Sequence, residues 1–157
     1  MSEAADLARK LKSEGEKFSG FFEGLTEQQW DTEVYVEGSV WNIRSILAHL
    51  MTAERAFVKL FESIRQGGLG VSEDFVIDRY NARQQEKTQE LSPAELLQQY
   101  QDVRGQMVAW VSGLDDSDLE RRGRHPYLGV TSLREMIKMV YIHNQTHYRD
   151  IRRVLNR

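Results

Sequence analysis

The sequence predicts an all-α protein, a four-helix bundle with long second and last helices. Three observations carry that prediction. Helix formers fill the long stretches between glycines, and the only two prolines, Pro93 and Pro126, fall at a helix start and in a polar loop. Apolar residues recur at three- and four-residue steps, the period of one helix face. Short polar residues followed three positions later by Glu or Gln open several of these stretches, as capping boxes do. No stretch makes a convincing sheet, so four helices packed antiparallel around one core is the simplest architecture.

The first helix is expected over residues 3–22, with Leu7, Leu11, Phe18, Phe21 and Phe22 as its apolar stripe and Gly15 and Gly20 as local weak points. Thr26-Glu27-Gln28-Gln29 reads as a capping box for a short turn carrying Trp30. Val34 and Val36 alternate with polar neighbours, which fits a short extended connection over residues 33–37. Gly38-Ser39 opens the second long helix, with Ser39 as N-cap. Ile43, Ile46, Leu47, Leu50, Phe57, Leu60, Phe61 and Ile64 keep its period until Gln66, and Gly67-Gly68 stops it.

A third helix is expected over residues 74–90. Ser92-Pro93-Ala94-Glu95 is the clearest start signal in the chain, leading into Leu96, Leu97, Tyr100, Val103, Met107, Trp110 and Val111 before Gly113. Leu91-Ser92-Pro93 interrupts the pattern, leaving either two helices or one broken helix. Residues 115–128 read as a polar loop with a basic knot at Arg121, Arg122 and Arg124. Ser132-Leu133-Arg134-Glu135 opens the last long helix, which ends near Leu155. Arg149, Arg152, Arg153 and Arg157 gather at its end, where positive charge complements the helix dipole. Ile43-Arg44-Ser45-Ile46-Leu47 and Leu133-Arg134-Glu135-Met136-Ile137 echo one another, but amphipathic helices produce such echoes readily. Trp41, Trp110, Tyr100 and Tyr141 read as core packing or a dimer surface.

At 157 residues the chain is most simply one domain over 1–157. A hydrophobic content of 40% with 29% charged residues is an ordinary globular balance. The net charge of -3 argues against a general nucleic-acid binder. No apolar run approaches the roughly 20 residues that span a bilayer, so no membrane association is expected. The start Met1-Ser2-Glu3-Ala4-Ala5-Asp6 lacks the layout of a signal peptide. With no cysteine there is no thiolate ligand or protein thiol nucleophile, and a cytoplasmic location is expected. Any thiol chemistry would need a thiol brought by a cosubstrate.

The chemistry centres on histidine. Of four in the chain, His143 and His147 stand at i and i+4 in the last helix, so both imidazoles share one face. Met136, Val140, Ile151 and Val154 continue that face. His49 lies in the apolar run Ile46-Leu47-Ala48-His49-Leu50, and Ala53 and Ala56, one and two turns on, leave room beside it. Three neutral imidazoles suit a divalent metal and leave a coordination position open, the arrangement of a catalytic site. The competing readings are a buried, hydrogen-bonded His49 and a surface pair on the last helix. His125-Pro126 reads as an exposed turn.

The layout Gly38-Ser39-Val40-Trp41-Asn42-Ile43-Arg44-Ser45-Ile46-Leu47-Ala48-His49-Leu50, a Tyr80-Asn81 segment, and Gly129-Val130-Thr131-Ser132-Leu133-Arg134-Glu135-Met136 running into His143-Asn144-Gln145-Thr146-His147-Tyr148-Arg149-Asp150-Ile151 resembles the DinB-like superfamily over nearly the whole chain. The resemblance implies a DinB/YfiT-like four-helix bundle whose His49, His143 and His147 bind a divalent metal, zinc or nickel foremost, with iron or manganese as further options. It also implies a homodimer, and relatives that are metal-dependent hydrolases or bacillithiol- and mycothiol-dependent transferases.

The resulting expectation is a metal-dependent enzyme that activates a low-molecular-weight thiol or water against a small-molecule electrophile, in detoxification or stress response. Glu54, Tyr80, Asn81, Asn144, Tyr148 and Arg149 are candidate proton carriers or substrate anchors, with surface or ligand-supporting roles as the alternative. Two other classes compete: a non-catalytic metal protein that sequesters a small molecule, and a helical interaction module without a metal.

Overall fold

The computed structural model describes residues 2–156. α1 (Glu3–Glu23) starts where the Ser2 side chain accepts a hydrogen bond from the Ala5 amide, and it runs unbroken through both of its internal glycines. The one-turn α2 (Glu27–Trp30) carries the full Thr26/Gln29 capping box. An antiparallel ribbon, β1 (Glu33–Tyr35) with β2 (Trp41–Asn42), leads into α3 (Ile43–Arg65). α4 (Ile77–Thr88) and α5 (Pro93–Ser112) are separate helices, and Ser92 caps the second of them. A 3₁₀ turn over Asp116–Glu120 precedes a second antiparallel ribbon, β3 (Arg122–His125) with β4 (Gly129–Ser132), which leads into α6 (Leu133–Leu155). The fold is the all-α four-helix bundle, built from α1, α3, α5 and α6.

The two ribbons depart from the expectation of no sheet. The first displaces the start of α3 from Ser39 to Ile43, because residues 41 and 42 pair with β1 and the Asn42 side chain accepts from the Ser45 amide. The second occupies Arg122-Gly123-Arg124-His125, which has no apolar alternation to announce a strand. Each ribbon feeds a 23-residue helix in the same way. The Ile43 amide donates to the Thr32 carbonyl at 3.0 Å, and the Leu133 amide donates to the Arg121 carbonyl at 2.8 Å. Gly38 and Gly129 turn the two ribbons at φ of 72° and 71°, a conformation that favours glycine. The sequence echo therefore marks one hairpin–helix unit used twice.

The core is split into two apolar halves, which fixes the helix directions. α1 and α6 pass from the half holding Leu7, Leu11, Met136 and Val140 to the half holding Phe18, Phe22 and Ile151. α3 and α5 run the other way, from Ile46, Leu50 and Leu96 to Phe57, Phe61, Met107 and Val111. The order is up, down, down, up, not the simple antiparallel alternation expected. Since α3 and α5 are parallel, the chain must return between them, and α4 with its leading loop is that return. Arg44 at the start of α3 donates from Nε to the Leu91 carbonyl at 3.1 Å, tying down the end of the return.

Candidate metal centre

α3 and α6 are antiparallel, and their inward faces bring His49, His143 and His147 together. His143 Nε2 stands 3.1 Å from His49 Nε2 and 3.1 Å from His147 Nε2. The ligand nitrogens of all three lie within 4.8 Å of one another. Nitrogens at tetrahedral vertices around zinc stand about 3.3–3.4 Å apart, given metal–nitrogen bonds of about 2.0–2.1 Å. The observed spacing thus fits a small divalent ion. His49 is buried and the other two are half-buried, so the cluster has a closed side and an open one. Trp41 covers His49 with its ring 4.9 Å away.

The tautomer of His147 follows from its neighbours. The Tyr35 hydroxyl donates to Asp150 Oδ2 at 2.6 Å and lies 2.8 Å from His147 Nδ1. A carboxylate only accepts, so the single phenolic proton goes to Asp150. Tyr35 Oη must then accept from His147 Nδ1–H, which leaves Nε2 with its lone pair turned toward the other histidines. Burial and the bond to Asp150 push the Tyr35 pKa up, which keeps that proton in place. Burial also pushes the histidines down, to about 3 for His49, about 2 for His143 and about 4 for His147. All three imidazoles are neutral near pH 7.

The family model of the DinB superfamily matches residues 10–151. The chain belongs to the DinB superfamily. YfiT from Bacillus subtilis, described as a probable metal-dependent hydrolase with an unusual four-helix bundle topology, has the same fold with a TM-score of 0.79 at 19% identity, over 98% of this chain and 87% of YfiT. The mycothiol-dependent maleylpyruvate isomerase aligns with a TM-score of 0.73 at 15% identity, over 95% of this chain but 59% of its own. ClbS, a colibactin self-resistance protein seen in complex with double-stranded DNA, aligns with a TM-score of 0.74 at 13% identity, over 99% of this chain and 95% of ClbS. No curated protein matches the chain in sequence.

ClbS corrects the expectation that nucleic acid is no partner for such a chain. Net charge sums the whole molecule, whereas a phosphate backbone meets a local patch. In this DinB-superfamily chain Lys17, Arg149, Arg152 and Arg153 gather around one open cleft despite the overall charge of -3. Arg157, the last member of that cluster, lies outside the described residues. No helix among the described residues is long and apolar enough to cross a membrane.

The other candidate residues scatter. Glu54 turns into the bundle, where its two oxygens accept from Arg104 Nε at 2.7 Å and Nη2 at 2.8 Å. Arg104 also donates to the Leu11 carbonyl at 2.9 Å and to Asn144 Oδ1 at 3.1 Å. Tyr100 donates to the same Asn144 oxygen at 2.6 Å, and Asn144 Nδ2 donates to the Val140 carbonyl. These residues form a polar layer between the two apolar halves. It has room only because position 15 is glycine, where a Cβ would stand 2.8 Å from Arg104 Cγ. Tyr148 packs on Phe18 and Phe21 at the periphery, and Arg149 is 68% exposed. Tyr80 and Asn81 lie on α4, across a small cavity from α3.

His125 is not an exposed turn residue, since only 2% of it is exposed. Its Nδ1 accepts from the Tyr127 and Leu128 amides at 3.1 and 3.2 Å, and its ring stacks on Phe57 at 5.0 Å. The imidazole thereby closes its own turn and docks it on α3. Tyr127, carried by that turn, reaches a ring distance of 5.6 Å from His143. Sequence reading missed Tyr35, Asp150, Arg104 and Tyr127. Only Asp150, one turn beyond His147, carried any signal. A depression of about 500 Å³ between α1 and α5 is walled by none of the histidines.

Proposed function

We propose that this DinB-superfamily protein is a metal-dependent transferase or hydrolase whose His49, His143 and His147 hold one divalent ion, zinc or nickel, and which acts on a small electrophile with a low-molecular-weight thiol or water. One observation carries the reading: three neutral imidazoles aim their Nε2 atoms at a common point, and at His147 the neighbours force the lone pair inward. A divalent ion held by neutral ligands keeps its full charge and would supply Lewis acidity, bringing the pKa of water toward about 7 or favouring thiolate over thiol.

The chain's own contribution is positional. Tyr35 and Asp150 hold the His147 proton at Nδ1 and fix the ring, as partners behind metal-binding histidines commonly do. Trp41 shields the buried side from water, and the half-buried His143 and His147 leave the other side for a substrate. Glu54 is committed to Arg104, so the reading gives it no proton to carry.

The test begins with metal content. Protein purified without a histidine tag and supplied with zinc or nickel should retain about one equivalent, and His147→Ala should retain almost none. Turnover is then measured with an activated aryl halide plus a low-molecular-weight thiol, and separately with an activated ester in water alone. Consumption of the halide beyond one equivalent identifies a transferase, and consumption of the ester identifies a hydrolase. Binding that stops at one equivalent in both assays, with metal in place, would sink the catalytic reading in favour of sequestration. Failure to retain metal would sink the reading as a whole.

A further inference from the structure

Beside the histidines lies a second feature, a cavity of about 120 Å³ between α3, the loop and first turn of α4, and the turn after β3. No histidine lines it, but two of its lining residues connect it to the three-histidine cluster. Ala53 stands four residues after His49 on the same face of α3, and Tyr127 packs against the His143 ring at 5.6 Å. Ala56, Phe57, Phe75 and Tyr80 complete the enclosure. No charged residue lines it, and Asn81, the one amide there, faces the side chain of Tyr127. A charged group entering would lose its hydration and meet no charged side chain in the wall.

The walls are braced. Phe57 is held from behind by stacked contacts with Phe61 at 5.5 Å and His125 at 5.0 Å. His125 in turn clamps the turn that presents Tyr127, through its two amide hydrogen bonds. Phe75 and Tyr80 pack ring against ring at 5.7 Å. Alanines at 53 and 56, set among these large rings, leave space where any longer side chain would fill it. An apolar cavity of about 150 Å³ binds benzene; the space here, about 120 Å³, is somewhat smaller, so a single six-membered ring is the largest group it takes, and entry needs the partly exposed rim at Phe75 to give slightly.

We propose that this cavity is the specificity subsite of the metal centre, and that it takes a single uncharged aromatic ring of the substrate while the polar, reacting end lies at the histidines. The proposal rests on the metal-centre reading for its reacting end, but the subsite is testable without metal. Toluene titrated into metal-free protein should give saturable shifts of the Ala53 and Ala56 methyl resonances, and benzoate should give none at equal concentration. Ala56→Leu should weaken toluene binding at least tenfold while zinc retention stays at the wild-type level. Phe75→Ala, at the partly exposed rim, removes one wall and should admit indole, which the wild-type cavity excludes.

Absence of saturable toluene shifts in the wild type overturns the subsite, and so does equal toluene affinity in both Ala56→Leu and the wild type. If Ala56→Leu does not fold, the indole result with Phe75→Ala decides: gain of binding supports the subsite and no change overturns it. Toluene binding without zinc retention would leave the subsite standing and remove the metal reading. Zinc retention without toluene binding would do the reverse.

Discussion

Two buried polar groups of side chains sit within a turn of each other in this bundle, and they are built on opposite plans. In the layer of Glu54, Arg104, Tyr100 and Asn144, donors meet acceptors across all four long helices, and Asn144 Oδ1 accepts twice. Among His49, His143 and His147 the facing atoms are alike, three nitrogens whose one assignable proton is already given to Tyr35. The first group is complete within the chain. The second sets like atoms face to face, an arrangement that a cation placed between its members would complete. Burial of polar atoms is common to both, so burial alone does not distinguish them; what does is that one group pairs donors with acceptors while the other sets three nitrogens together.

The contrast can be broken most severely at Arg104. Replacing it with methionine leaves the Glu54 carboxylate buried without its partner, and stability measured by urea unfolding should fall by about 3–5 kcal/mol. Adding Glu54→Leu to that variant should recover a large part of the loss. A change under about 1 kcal/mol in the single variant would show that the layer is not closed as described.

Next in size is the effect of metal on folding. Zinc free at about one hundred times its dissociation constant should stabilise the wild type by about 2.7 kcal/mol. His147→Ala should abolish that gain, as a thermal melt with and without zinc would report. An equal zinc-dependent shift in the variant would mean that the ion binds elsewhere. Tyr35→Phe tests the proton placement more gently. It removes the acceptor for His147 Nδ1–H and should weaken zinc affinity about tenfold in competition with a chromophoric chelator.

The smallest expected effect sharpens the comparison with the fourth histidine. Burial lowers the His125 pKa to about 4, against about 6.5 for an unfolded chain. Its contribution to stability is therefore present above pH 6.5 and is lost as pH falls from there toward 4, because the unfolded state takes up the proton first. The stability difference between wild type and His125→Asn should shrink by about 1 kcal/mol between pH 6.5 and 5.5. A difference that stays constant over this range would place His125 in solvent.

How far the sequence could be read follows the same division. Helix faces are periodic, so the bundle and the inward aim of His49, His143 and His147 were legible from spacing and apolar context. The capping boxes at Thr26 and Ser92 marked true starts. Pairings across the bundle leave no local trace: nothing around Tyr35 points to Asp150, 115 residues away, and nothing around Glu54 points to Arg104. The alternation at Val34 and Val36 marked residues 33–37 as extended, and β1 lies there; its pairing and the second ribbon escaped notice because their strands span two to four residues and, in β3, carry arginine and glycine where alternation would be sought. His125 looked exposed because its neighbours are polar, yet its own turn folds it onto Phe57.

The parallel pairing of α3 with α5 obliges the chain to travel back along the bundle, and the segment that makes this journey also contributes Phe75, Tyr80 and Asn81 to the space beside the histidines. Insertions or deletions in that segment would reshape this space while leaving the imidazoles on α3 and α6 untouched. Under the proposed reading, a lineage built on this scaffold would alter its preferred ring by editing one crossing and keep its three imidazoles in place.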